Sequence, residues 1–321
     1  MKIVILEGKS VGEDMVFTPF DSLGEVTIYP KTSPEEMPER IKDADIIVAN
    51  KLPMNEQTLG QAEHLKLVCL TATGTNNLDV PYLKSRGIQA RNVAGYSTDA
   101  VAQHTFALLF YLWEKLRFYD DFVKSGEYTR GNSFSCFPER FFELQGKTWG
   151  IIGMGAIGQR VAEIASVFGC RILCYSASGT SYDFEDKGYK QVDFDTLLKE
   201  SDVLSIHAPL NPHTENLMNL DAFRRMKKEA VLINVARGPI VNQEDLYTAL
   251  TENMIAAAGL DVLKVEPLAE DNPLGKIKDS RKLLITPHMA WAPVETRTRC
   301  LGEVVKNIEA FLNGEDRNRV C

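Results

Sequence analysis

One short run, GIIGMGAIG at residues 150–158, constrains the fold of this chain more than any other feature. It reads as an apolar strand from Trp149 to Ile152, a glycine turn, and a helix beginning at Ala156 and running to Ser166. That is the context a dinucleotide-binding fingerprint requires. Gly153 permits the tight turn, Gly155 leaves the backbone open to a pyrophosphate, and Gly158 lets the helix pack close to its strand. The start of the helix presents unsatisfied N–H groups to phosphate oxygens. A glycine pattern alone is a weak signal; the strand before it and the amphipathic helix after it strengthen the reading. Because the run lies mid-chain, the residues before it need a domain of their own.

Those residues alternate short apolar runs with helical patterns. Strands are expected at Lys2–Leu6, Val26–Tyr29, Asp45–Ala49, Leu67–Leu70 and Ile88–Asn92, with helical segments at Pro34–Lys42, Asn55–Ala62 and Val80–Arg86. A long helix is expected from Asp99 to Phe118, followed by a turn-rich aromatic stretch, Ser125–Glu143. From Lys147 the alternation resumes, with six strands expected at 148–152, 171–175, 202–206, 231–235, 256–260 and 283–286. Such alternation predicts α/β architecture with two doubly wound parallel-sheet domains. The last helical segment, Pro293–Asn313, has no strand of its own, so it is expected to pack back on the first domain. The expected division is 1–97 with 290–321, and 98–289.

Charge narrows the partners. The formal net charge of −8 argues against a nucleic-acid binder, which needs a basic footprint. No apolar stretch reaches membrane-spanning length, and MKIVILEGKS reads as a first strand rather than a leader. The six cysteines form no CxxC pair, and with five histidines they show no metal-ligand spacing, so no metal is expected. Scattered thiols of this kind suit a reducing, cytoplasmic compartment.

The adenosine end of the fingerprint departs from the usual pattern. An acidic residue is expected at the tip of the second strand, to accept hydrogen bonds from the ribose hydroxyls. Here the tip reads CYSASGTSY, residues 174–182, and Ser176 stands in that place, with Asp183 and Glu185 later on what reads as a loop. Loss of the acid removes repulsion against a 2′-phosphate, and Ser176, Ser178 and Thr180 offer hydroxyls to one, but no arginine follows closely. NAD and NADP both remain open.

Three later segments each end a predicted strand with a residue suited to carbonyl reduction. Arg237 lies in INVARGPIV, Asp261 and Glu266 in GLDVLKVEPL, and His288 in TPHMAWAP. Singly, each has an ordinary reading as a surface charge or a satisfied loop residue. Together, at the strand ends that line the ligand crevice of an open α/β sheet, they form a chemical set. Arg237 offers a planar fork for a carboxylate or a carbonyl oxygen. His288 can exchange a proton with that oxygen, and Glu266 can hold the imidazole and stabilise its protonated form. Lys51, in NKLP, and Trp291, three residues past the histidine, are candidate substrate-pocket residues.

With HAPLNPHTENLMN (207–219), NVARGPIVNQEDL (234–246), GLDVLKVEP (259–267) and PHMAW (287–291), the chain resembles the D-isomer-specific 2-hydroxyacid dehydrogenases over nearly its whole length. GYSTDAVAQH (95–104) and HMAWAP (288–293) are most similar to the glycerate dehydrogenase and hydroxypyruvate reductase branch. The resemblance implies a flavodoxin-like substrate domain and a Rossmann NAD(P)-binding domain with a cleft between, and Arg237, Glu266 and His288 as the catalytic set. It implies that Asp261 binds the nicotinamide carboxamide, and that Ala156 and Ile157 meet the pyrophosphate through their backbone. It further implies that Pro209 and Thr214 flank the adenosine, that Val235 and Ala236 lie near the nicotinamide ribose, and that Thr98 lies near the ring. The segment TATGTNNLD (71–79) is similar to the family's substrate loop, with the Thr73 and Gly74 amides on the substrate carboxylate. The expected partner is a small 2-keto or 2-hydroxy acid such as hydroxypyruvate or glyoxylate, giving D-glycerate or glycolate, in a homodimer with no nucleic acid and no membrane. Two alternatives stand beside this: a bulkier branched or aromatic 2-keto acid, and a dinucleotide-sensing interaction protein. Gln103 departs from the family's usual Glu.

Overall fold

The computed structural model describes residues 1–321 apart from the side chain of Glu185, so the loop reading of that acid lies outside the described residues. The chain divides into two compact units, Met1–Ser97 with Trp291–Cys321, and Thr98–Ala290.

In the first unit five strands alternate with short helices. β1 (Lys2–Ile5), β2 (Glu25–Ile28), α1 (Met37–Ile41), β3 (Ile46–Ala49), α2 (Glu56–Leu59), β4 (Leu67–Leu70), α3 (Val80–Ser85) and β5 (Gln89–Arg91) follow in order. The sheet runs β2-β1-β3-β4-β5, every pair parallel, which is the flavodoxin-like order. The central strands IIVA and LVCL are buried at every position, as strands covered by helices on both faces must be. Side-chain caps start the helices: Asn55 accepts from the Thr58 N–H, and Asp79 accepts from the Tyr82 N–H.

The second unit opens with α4 (Thr98–Trp113), then α5 (Leu116–Lys124) and α6 (Glu127–Gly131). The expected helix to Phe118 is interrupted: Lys115 is left-handed, with φ 55°. The reason is burial. α4 buries an apolar face through Leu112 and Trp113, whereas α5 buries nothing. The aromatic stretch holds α6 rather than turns alone. Next come β6 (Thr148–Ile152), α7 (Ala156–Val167), β7 (Arg171–Tyr175), β8 (Lys190–Gln191), α8 (Phe194–Glu200), β9 (Val203–Ile206), α9 (Leu220–Arg225), β10 (Val231–Asn234), α10 (Gln243–Thr251), β11 (Ala257–Leu260) and β12 (Leu283–Ile285). The parallel sheet is ordered β12-β11-β10-β9-β6-β7-β8, the doubly wound order of dinucleotide folds with one further strand. It has seven strands, not the six expected, because β8 is two exposed residues with no apolar signal. The order reverses between β6 and β9, which pair through Trp149–Ile152 and Val203–Ile206. That is the switch point at which open sheets bind ligands.

The chain then returns to the first unit as α11 (Val294–Leu312). Its Cys300, Leu301, Val304 and Ile308 join Ile3, Ile5, Val48 and Cys69 in one core. Arg91, 2% exposed, clamps this return by donating to the carbonyls of Asn307 and Glu315. Ala290, placed by the sequence in the returning segment, belongs instead to the second unit's core beside Trp149 and Val235. No helix among the described residues is long and apolar enough to cross a membrane.

Ile308 is fully buried, so Ile308→Ala should cost about 2–5 kcal/mol through lost transfer energy and a cavity. Urea unfolding of the full chain measures this; an unchanged first-unit transition would mean that α11 contributes no core.

Candidate functional site

The loop after β6 is built by its glycines. Gly153 has φ +92°, and a Cβ there would lie 2.8 Å from the Ala208 backbone; a Cβ on Gly158 would lie 2.1 Å from the Gly153 carbonyl oxygen. The missing side chains permit the close approach of the turn to Ala208, beyond β9, and of α7 to β6. At Gly155 an added Cβ meets nothing within 4 Å. Gly155 is also the N-cap of α7 and provides no capping side chain, so the first amides of the helix, at Ala156 and Ile157, have no capping acceptor. Room for a group and donors aimed at it suit a pyrophosphate.

At the tip of β7, Ser176 is buried and its hydroxyl accepts from the Thr180 N–H at 2.9 Å. The hydroxyls continue outward, Ser176 to Ser178 at 3.2 Å and Ser178 to Thr180 at 2.9 Å. Beyond β9, the exposed Pro209 and the buried Thr214 belong to one loop, which the Thr214 hydroxyl closes by donating to the Pro209 carbonyl at 2.7 Å. The sequence reading passed over His207 on the same stretch. Its amide donates to Ile152 across the switch point, and burial pushes its imidazole down to about 3, so it brings no charge there at neutral pH.

The strands β10, β11 and β12 deliver the other candidates. Buried Asn234, also unremarked in the sequence, accepts from the Ala236 N–H and donates to the Arg237 carbonyl, both at 3.0 Å, which fixes the turn that holds Val235, Ala236 and Arg237. Arg237 donates through Nη1 to the Ala236 carbonyl at 2.7 Å. Gly238 packs against the backbone of Leu263, where a Cβ would lie 2.0 Å away; the arginine loop and the loop of Glu266 are therefore neighbours. Glu266 accepts the Leu263 N–H on Oε1 at 2.9 Å and the Nδ1 of His288 on Oε2 at 2.7 Å. Its carboxylate is thus oriented by its own loop and directed at the imidazole. A cavity of about 430 Å³ adjoins the pair, lined by Leu263, Leu268, Ile285 and Pro287 alongside Glu266 and His288.

Asp261 holds this arrangement from below. It is 1% exposed. Its Oδ1 accepts from the Thr286 hydroxyl at 2.6 Å and the Met289 N–H at 2.9 Å, and its Oδ2 accepts from the Ala290 N–H at 2.8 Å. Burial works to raise this carboxyl, but the nearby His104 ring and the hydrogen bonds from Thr286, Ala290 and Met289 outweigh it and hold the group below its ordinary range. The second unit therefore brings Arg237, Asp261, Glu266 and His288 to the carboxyl ends of adjacent strands, and Thr98 opens its first helix.

Lys51, Thr73, Gly74 and Trp291 belong to the first unit. The three amides of Asn50, Lys51 and Leu52 converge on the Glu7 carboxylate at 2.6, 3.0 and 3.3 Å. Thr73 donates its hydroxyl to the Val93 carbonyl at 2.7 Å. Asn77 ties the two loops together by donating to the Leu52 carbonyl at 2.8 Å. Lys51 and Thr73 thus lie past the carboxyl ends of neighbouring strands β3 and β4, while Trp291 packs on the core around α11. No cluster of three or more metal-ligating side chains occurs among the described residues.

Comparison with known proteins decides the family. Residues 106–290 match the model for the D-isomer specific 2-hydroxyacid dehydrogenase, NAD binding domain. The chain belongs to that family. It is 37% identical to a hydroxypyruvate reductase of Blautia hydrogenotrophica, over 100% of this chain and 99% of the relative. It is 35% identical to a glycerate dehydrogenase of Methylorubrum extorquens, over 99% and 98%. Among solved structures, a D-lactate dehydrogenase of Aquifex aeolicus complexed with NAD and lactic acid superposes with a TM-score of 0.85 at 30% identity, covering 98% and 96%. An acyclic imino acid reductase in complex with NADPH and D-Arg gives 0.85 at 30%, covering 100% of both chains. As a family member the chain is an NAD(P)-dependent dehydrogenase, and the glycine loop, with its open Gly155 and uncapped α7, fits the dinucleotide.

The depressed carboxyl of Asp261 links stability to pH. A folded value below the unfolded one, near 3.9, contributes stability that is full above that value and is lost as pH falls through the folded value. Asp261→Asn should therefore unfold more readily than wild type at pH 7, by about 1–3 kcal/mol. The gap should narrow toward pH 2, as measured by urea unfolding across pH; a gap independent of pH would refute the linkage.

Proposed function

We propose that this chain reduces a small 2-keto acid, hydroxypyruvate or glyoxylate, to the corresponding D-2-hydroxy acid. The observation that carries the reading is the 2.7 Å pair between His288 Nδ1 and Glu266 Oε2, with Glu266 itself oriented by the Leu263 amide. The names of the two relatives, hydroxypyruvate reductase and glycerate dehydrogenase, favour the small substrates over branched or aromatic ones.

When bound, the reduced nicotinamide supplies the hydride that the carbonyl carbon receives. The residues of the chain do the rest. With Nδ1 committed to Glu266, His288 delivers its proton from Nε2 to the ketone oxygen, so carbonyl becomes hydroxyl with charge balanced. Glu266 holds Nδ1 and fixes the ring plane. Arg237 uses further N–H groups of its fork on the substrate carboxylate or the polarised oxygen. Lys51 and the Thr73 and Gly74 amides are assigned to the substrate carboxylate, and Trp291 to the wall of its pocket. Asp261, Val235, Ala236 and Thr98 are assigned to the nicotinamide end of the cofactor. Ala156 and Ile157 are assigned to its pyrophosphate, and Ser176, Pro209 and Thr214 to its adenosine.

We further propose a cytoplasmic homodimer. All six thiols are unpaired. Phe134 and Phe137 of the aromatic segment are 97% and 78% exposed, an apolar surface suited to association. Light scattering should give twice the monomer mass, and Phe134→Ser with Phe137→Ser should shift it toward the monomer; a monomeric wild type at micromolar concentration would refute the assignment.

The enzymatic reading is tested with His288→Ala. The variant should bind NADH or NADPH as wild type does while kcat falls by about 10²–10⁴. Near-normal turnover would overturn the mechanism. Turnover of wild type with phenylpyruvate alone would keep the mechanism and move the substrate to the bulky class. Tight cofactor binding with no turnover of any 2-keto acid would favour a sensing role.

A further inference from the structure

We infer that His104 and Thr286 are positioning residues for His288, acting through a hydrogen-bond chain of fixed direction that ends on Asp261. The inference rests on the reading of His288 as the proton donor.

The direction follows from counting protons. Asp261 is held in its ionised form and can only accept. The Thr286 hydroxyl has one proton, and its oxygen lies 2.6 Å from Asp261 Oδ1, so that proton belongs to this bond. The same oxygen lies 3.0 Å from His104 Nε2. Having given its only proton to Asp261, Thr286 must accept from the imidazole, and His104 therefore has its proton on Nε2. The ring also stands 3.4 Å from Asp261 Oδ1, so its donor edge faces the carboxylate. The chain thus runs from His104 N–H to Thr286 O–H to the Asp261 carboxylate.

The reason for such a device lies one turn of backbone away. His288 has φ 54°, a left-handed conformation that a non-glycine residue keeps only where its surroundings over-determine it. The restraints bracket it on both sides. Before it, Thr286 is tied to Asp261 by its side chain. After it, the amides of Met289 and Ala290 are tied to the two oxygens of the same carboxylate. The His288 amide itself donates to the Asp261 carbonyl at 2.9 Å. His104, on α4 and 182 residues before Thr286, is the far anchor of this bracket.

The test uses paired substitutions in the full chain. Thr286→Val keeps the shape and removes the hydroxyl; Thr286→Ser restores it. His104→Leu removes the donor; His104→Gln places an amide N–H near the position of Nε2. Thr286→Val and His104→Leu should lower kcat by about 10- to 100-fold, the cost of a small misplacement of a reacting group, while the KM for the nicotinamide cofactor stays within about twofold of wild type. In protein without cofactor, amide exchange of the segment 286–292 should quicken in both. Thr286→Ser and His104→Gln should recover both readouts. Wild-type kcat and exchange in Thr286→Val, or failure of Thr286→Ser to recover with its melting temperature unchanged, would overturn the inference. If His288→Ala is inactive and Thr286→Val is normal, this inference alone fails. If His288→Ala turns over normally, the proton-donor reading fails, and the exchange data still judge whether the chain holds the loop.

Discussion

One buried carboxylate organises the chemical end of this protein. Asp261 sits where β11 stops and gathers the loop after β12 by its side chain and its carbonyl. Asp261 is 1% exposed, and leaving its carboxylate without those donors would cost far more than a surface contact contributes. The many lysine and arginine pairs on exposed faces, such as Lys42 with Glu39 or Lys124 with Asp120, are of the inexpensive kind. The Asp261 bonds are not, because the carboxylate that accepts them is buried. The loop of His288 therefore has one shape, and Glu266 meets the imidazole in one orientation.

That local rigidity depends in turn on the parallel sheet. Strands that all run one way bring their carboxyl ends, and the loops that follow them, to one edge. β6 supplies the glycine turn, β7 the serine loop, β10 the arginine, β11 the aspartate and glutamate, and β12 the histidine. Residues far apart in the chain become neighbours because the order β12-β11-β10-β9-β6 places their strands side by side. The close pairing of the arginine and glutamate loops then requires the missing side chain at Gly238.

Much of this was legible beforehand, for reasons that differ by residue. The strands were visible because a doubly covered parallel sheet needs continuous apolar runs such as IIVA and LVCL. Gly153, Gly155 and Gly158 were visible because their spacing reflects a local backbone requirement. Arg237, Glu266 and His288 were visible because each follows a strand closely. What escaped notice was long-range or weakly patterned. His104 is one polar residue on a helix whose neighbours are core, and its partner lies 182 residues on. Asn234 ends a strand and looks like an ordinary turn residue until its side chain is seen bracketing Arg237. The two residues of β8 are exposed and carry no hydrophobic signal. The break at Lys115 depends on which helix finds a core to cover, a tertiary fact that helix propensity does not contain.

The same contrast explains why the loop proposed for the adenosine is less determined than the loops proposed for hydride transfer. At the loops after β11 and β12 every carboxylate oxygen of Asp261 and Glu266 has a hydrogen-bond partner, so one geometry is fixed. At the tip of β7 three hydroxyls satisfy one another, and a hydroxyl both donates and accepts. Such a chain can turn its protons outward toward a phosphate or its lone pairs outward toward a ribose hydroxyl, without moving a heavy atom. An acid in place of Ser176 would remove that choice, since a carboxylate only accepts and repels a second negative group. As the proposed adenosine site, the serine loop therefore carries hydrogen-bonding chemistry suited to either cofactor.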